Sequence, residues 1–224
     1  MIRKFAFIHT SHVLIPVFSQ LAKTMLPGVD VFHMTDESLI RNTIEQERLT
    51  KTTICRLVNM VRSAHEAGAD AVMVTCSSIG PGVEVARQLL DFPIFRIDEA
   101  MAENAVNMGS RIGVAATLRT TLDPTLALLQ TTAERGGKTV ELVPRIAEGA
   151  FAAVVSGDTE RHDRMVAEML SSLKSEVDVV VLAQASMARV VPSLPAGGAP
   201  ILTSPELAVR QAREALMIEN PIVA

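Results

Sequence analysis

Gly68-Ala69-Asp70-Ala71-Val72-Met73-Val74-Thr75-Cys76-Ser77-Ser78-Ile79 and, 108 residues later, Glu176-Val177-Asp178-Val179-Val180-Val181-Leu182-Ala183-Gln184-Ala185-Ser186-Met187 follow one pattern. An aspartate precedes an unbroken apolar run, and small or polar residues close it. A run without polar alternation is how a strand buried on both faces reads. At this offset Asp70 falls on Asp178, Ser78 on Ser186 and Cys76 on Gln184. Working outward, one residue off that phase, Pro93-Ile94-Phe95 falls on Pro200-Ile201-Leu202 and Glu99 on Glu206. Lys4-Phe5-Ala6-Phe7 falls on Arg111-Ile112-Gly113-Val114, and Thr10 on Thr117. Identities are few, but order and phase persist along the chain.

Runs of the same kind occupy residues 5–9, 29–34, 71–75 and 94–97, and then 112–116, 139–143, 179–182 and 201–203. Between them, residues 38–67, 121–135 and 159–174 have helical spacing. The alternation predicts an α/β fold with parallel sheets and helices on both faces. The repeat predicts two similar halves, 1–106 and 107–224, each with about four strands. The C-terminal helix is free to pack back on the first half. Parallel sheets bind ligands beyond the carboxyl ends of their strands. With the halves facing one another, Thr10-Ser11-His12, Cys76-Ser77-Ser78, Thr117-Leu118-Arg119-Thr120 and Gln184-Ala185-Ser186 would converge on one cleft.

Composition narrows the function. The 224 residues are 48% hydrophobic and 21% charged, which excludes a disordered chain. The net charge of −4, the lack of any Lys/Arg block and the absence of Trp and Tyr leave no footprint for nucleic acid. No apolar run is long enough to span a membrane, and the opening residues read as a strand rather than a signal peptide. Two cysteines, Cys55 and Cys76, make no disulfide framework, so a reducing, cytoplasmic setting is expected. Eleven methionines suit a core and equally a homo-oligomer contact.

Cys76 is the leading chemical candidate. It follows a buried strand and precedes Gly80-Pro81-Gly82, where Pro81 suits the first turn of a helix. Amide N–H groups there favour a thiolate or a substrate carboxylate, and a thiolate serves as base or nucleophile. An inert buried cysteine fits the same position. Thr10, Ser11, Ser77, Ser78, Thr117, Thr120, Thr121 and Ser186 offer hydroxyls to an anion, and also suit turns and caps. His12 is a candidate acid/base or substrate contact. His9-Thr10-Ser11-His12 lacks further ligands for a metal, so none is expected. His33, Asp36 and Glu37 close the second strand within reach of the rim, although Asp36 or Ser38 as a helix cap explains them too. Cys55 falls within a helix, and His162 reads as part of a solvated helix face. The glycines at 80 and 82, with Asp98 after the next strand, form only half of a dinucleotide fingerprint.

These three stretches (71–78, 180–187 and Arg111-Ile112-Gly113-Val114-Ala115-Ala116-Thr117-Leu118) resemble the aspartate/glutamate/hydantoin racemase superfamily. The resemblance spans nearly the whole chain. It implies two flavodoxin-like halves, an active-site cleft between them and no cofactor. It also implies a small carboxylate or hydantoin-like substrate, with a cysteine from each half flanking its α-carbon. Ser, Thr and N–H groups would hold the carboxylate and stabilise an enediolate-like intermediate. Carried over, Cys76 matches the first thiol, Ser77 and Ser78 the turn after it, and Thr117 a second polar contact. The second thiol is absent: Gln184 stands there, and an amide carries no proton at neutral pH. Gln184 is then expected to bind substrate. Three readings follow: His12 as the second acid, one-cysteine decarboxylation or isomerisation as in relatives of the superfamily, or non-catalytic carboxylate binding.

Overall fold

The computed structural model describes residues 3–218. Among them two compact units separate. One runs to Ile97 and resumes at Pro205; the other is Asp98–Ser204. The first holds β1 (Lys4–His9), α1 (Ile15–Met25), β2 (Asp30–Thr35), α2 (Glu37–Glu45), α3 (Lys51–Glu66), β3 (Ala71–Val74), α4 (Pro81–Leu89) and β4 (Ile94–Arg96). The second holds α5 (Glu99–Met108), β5 (Arg111–Ala116), α6 (Arg119–Arg135), β6 (Glu141–Ile146), α7 (Ala150–Val155), α8 (Thr159–Leu173), β7 (Val179–Leu182) and β8 (Ile201–Leu202). All but the first residue of α9 (Ser204–Ile218) belongs with the first unit.

Each unit carries one four-stranded sheet, ordered β2-β1-β3-β4 and β6-β5-β7-β8, with every pairing parallel. The duplication extends to single hydrogen bonds. Asp70 accepts from the N–H groups of Arg3 and Lys4, at 2.8 and 3.0 Å. Asp178 accepts from those of Ser110 and Arg111, at 2.9 and 2.8 Å. The aspartate that opens each repeat therefore ties the start of the third strand to the start of the first.

Both faces of the first sheet are buried, which explains its unbroken apolar runs. Ala6, Ile8, Val72 and Val74 face Leu57 and Val61 of α3 and Val83 of α4. Phe5 and Phe7 point the other way, where Phe18 of α1 meets Phe7. In the second sheet Ala115, Val180 and Leu182 pack against Val166, Leu170 and Leu173 of α8.

Two expectations shift. The single helical stretch at 38–67 is two helices. Glu47 takes a positive φ of 52°, and the Thr50 side chain caps α3 by accepting from the N–H of Thr53. The strand expected at 139–143 runs later, as Glu141–Ile146, and includes Pro144. Its place at the sheet edge tolerates the missing donor.

Candidate active site

The backbone ladder between β1 and β3 ends at Ile8 and Val74, with one further bond from the Thr75 N–H to the Ile8 carbonyl at 3.0 Å. Side chains continue it. His9 Nδ1 meets Thr75 Oγ1 at 2.8 Å. On the next rung the Thr10 hydroxyl bonds the Cys76 sulfur. Cys76 then takes the N-cap position of the 3-10 turn Ser77–Ile79 without a side-chain cap bond, and the nearby N–H groups of Ile79 and Ser78 and the Ser78 hydroxyl act to lower its pKa. Pro81 opens α4 directly afterwards. Burial pushes the Cys76 thiol up and outweighs these four donors, so the resting group is the protonated thiol. Thr10, Ser77 and Ser78 are all buried.

His12 opens the 3-10 turn His12–Leu14 after β1. Its ring is exposed, and Nδ1–H donates to Glu37 Oε1 at 2.6 Å. This bond fixes the tautomer and leaves Nε2 to exchange protons. The His12 ring and backbone N–H, followed by Arg41, hold the Glu37 carboxyl below its usual range. Ser11 precedes the short turn His12–Leu14 without a side-chain cap. Asp36 caps α2 through the N–H of Ser38 and binds Arg56 of α3 at 2.6 Å. Desolvation opposes ionisation of Asp36, but the Ser38 and Arg56 bonds prevail and lower its pKa. Arg56 was not legible from the residues around Asp36, because nothing local marks α3 as their neighbour.

His33 does not reach a rim with Asp36 and Glu37. It turns into the first unit, where Nδ1 meets His9 Nε2 at 2.8 Å and Nε2 meets Ser19 at 2.9 Å. Its ring stacks on Phe7, with centroids 5.5 Å apart. This chain was missed because it depends on the register of β1 against β2, which no local pattern shows.

The second unit repeats the Thr10–Cys76 rung with different chemistry. Gln184 Oε1 accepts from both the N–H and the hydroxyl of Thr117, at 2.6 and 2.9 Å. With its oxygen held by two donors, the amide presents its NH₂ group. Thr120 Oγ1 is buried with no partner among the described residues, whereas Ser186 is exposed. His162 is no part of a solvated face: it is 1% exposed. Its Nδ1 meets Asp163 at 2.7 Å, and Arg189 also binds Asp163 at 2.8 Å. Arg189 lies on the 3-10 segment Ala185–Ser193 that follows Gln184. Cys55 is exposed on α3. Among the described residues no group of three His, Cys, Asp or Glu is placed to hold a metal, and no helix is long and apolar enough to cross a membrane.

Fold and strand-end chemistry together define a duplicated parallel α/β protein with a donor-lined thiol in one repeat and a donor-held amide in the other. The family model for Asp/Glu/Hydantoin racemase matches residues 8–212, and the chain belongs to that family. Solved structures with the same fold include glutamate racemase isoform RacE1 from Bacillus anthracis, at 15% identity and TM-score 0.74, over 97% of this chain and 83% of that one. Allantoin racemase from Klebsiella pneumoniae is similar at 17% identity and TM-score 0.69, over 97% and 88%. Aspartate racemase from Picrophilus torridus matches at 12% identity and TM-score 0.71, over 95% and 94%. No curated protein matches the chain.

Proposed function

We propose that this chain is a cofactor-independent enzyme acting at the α-carbon of a small carboxylate or hydantoin-like substrate, with Cys76 as its acid/base. The observation that carries the reading is the place of Cys76, after β3 and at the N-cap of the turn Ser77–Ile79, where hydroxyls of Thr10 and Ser78 and the N–H groups of Ser78 and Ile79 favour its charged form. Burial favours the thiol, so racemisation starts from the minor form left when the S–H proton passes to solvent, a thiolate that these donors stabilise. The thiolate takes the α-proton. The C–H bond breaks, its electron pair enters an enediolate, and an S–H bond forms; protonation of the carbon completes the reaction. Racemisation needs a second acid. His12 fills that role through Nε2, with Glu37 holding Nδ1. In the first unit Thr10, Ser11, Ser77 and Ser78 are the donors this reading assigns to substrate oxygens; in the second they are Thr117, Thr120, Ser186 and the NH₂ of Gln184.

Gln184 favours a second reading, because a thiol is absent there, and the resting thiol form of Cys76 agrees with it. In decarboxylation of a substituted malonate, the C–C bond to the leaving CO₂ breaks into an enediolate. Cys76 S–H then protonates one face of it. The test is incubation in D₂O with aspartate, glutamate, 5-substituted hydantoins and substituted malonates. NMR follows the α-proton and polarimetry the configuration. Exchange with loss of configuration supports racemisation and a second acid. Exchange with retention, or CO₂ loss, supports the one-sided reaction. No turnover of any compound favours a binding protein for small carboxylates.

A further inference from the structure

The first unit contains a polar chain that the proposed reaction does not use, running from buried Thr75 and His9 through half-buried His33 to exposed Ser19, and the direction of every bond in it follows from the donor count. Thr75 Oγ1 gives its one proton to the Ile8 carbonyl at 3.1 Å, so it receives one from His9 Nδ1–H. Neutral His9 then has a bare Nε2, which accepts from His33 Nδ1–H. His33 Nε2 accepts the hydroxyl proton of Ser19 on α1. Burial, and then the neighbouring His33, push the His9 pKa down to about 4, so the ring is neutral at neutral pH. His9 is fully buried, between the rings of Phe7, Phe18 and His33.

The internal repeat supplies a control. In the second unit the rung equivalent to His9–Thr75 is Ala116 and Ala183, both buried. The register that sets His33 beside Phe7 sets Pro144 beside Val114. At these positions the repeat that ends in Gln184 carries two buried alanines and an exposed proline. The repeat that ends in Cys76 carries two histidines and a threonine there. Packing alone does not call for imidazoles, because burying polar rings costs free energy unless each nitrogen is paired.

We propose that His9 is a positioning residue for Cys76. Held in one tautomer by His33 and Ser19, it fixes through Thr75 the separation of β1 and β3 at which the Thr10 hydroxyl meets the sulfur. This rests on the reading of Cys76 as the reacting thiol.

The test needs no substrate. In a Cys55→Ser background, the rate of Cys76 alkylation by iodoacetamide is measured at one fixed pH on the rise of its rate profile. Folding is checked by the amide NMR spectrum, and long-range ¹⁵N spectra read the His9 tautomer. His33→Gln keeps a donor towards His9 and an acceptor towards Ser19, so it should alkylate at the wild-type rate with His9 protonated at Nδ1. His33→Leu fills the space but ends the chain. It should slow alkylation about tenfold, as expected for a thiolate that loses one hydrogen bond, and move the His9 proton to Nε2. Thr75→Val, should His33→Leu not fold, breaks the chain elsewhere and should slow alkylation equally. A folded His33→Leu or Thr75→Val protein that alkylates at the wild-type rate or faster overturns the proposal. So does His33→Gln as slow as His33→Leu, or wild-type His9 protonated at Nε2. Failure of the enzyme reading would show separately, as absent turnover with these thiol rates unchanged.

Discussion

At the residue scale, the two repeats pose one question and answer it differently. A threonine just after the first strand of each unit pairs with a residue just after the third: a thiol at Cys76, an amide at Gln184. Gln184→Glu keeps an oxygen for both Thr117 donors but replaces the NH₂ group with a second oxygen. The protein should fold normally. KM for an anionic substrate should rise roughly tenfold or more, the value of one hydrogen bond to a charged group; steady-state kinetics measure it. Cys76, Thr10 and Gln184 were legible because each ends a strand that the apolar pattern marks. The His9–His33–Ser19 chain was not, because it depends on the register of β1 against β2 and on where α1 crosses them. His162 was misread for a related reason. Its charged neighbours suggest a solvated face, and only tertiary packing brings Arg189 across to Asp163.

At the element scale, all eight strands were readable; the central ones, covered on both faces, have no polar alternation to blur them, while the edge strands β2 and β6 are more exposed. Element boundaries were less readable. The break between α2 and α3 depends on Glu47 in a left-handed conformation, which no local residue preference announces. The aspartate anchors explain why Asp70 and Asp178 coincide in the repeat. Asp70→Ala removes the acceptor for two N–H groups and should cost about 1 kcal/mol, the scale of one partly solvated hydrogen-bonded site. Asp178→Ala should act in the same direction on the second unit. Urea denaturation of each variant checks both.

At the scale of the whole molecule, the chain passes between its units twice, and α9 serves the first. Val209 in α9 is fully buried. Val209→Asp would bury an unpaired charge, so it should lower hydrogen-exchange protection in β1–β4 more than in β5–β8. Stability should also depend on acid. Unfolded His9 binds a proton near pH 6.5, and folded His9 only near pH 4. Between these values the unfolded chain binds more protons, so stability falls as pH falls through that window. The total is about 3 kcal/mol for this one ring. Circular dichroism of urea denaturation at about pH 7 and about pH 4.5 should show that loss.

The most direct measurement compares wild-type protein with Cys76→Ala for deuterium incorporation at the α-carbon, across the same carboxylates, hydantoins and malonates in D₂O. Cys76 as the proton-transfer group predicts a loss of roughly 10²–10⁴-fold with the fold intact. A Cys76→Ala protein that exchanges at the wild-type rate would contradict it.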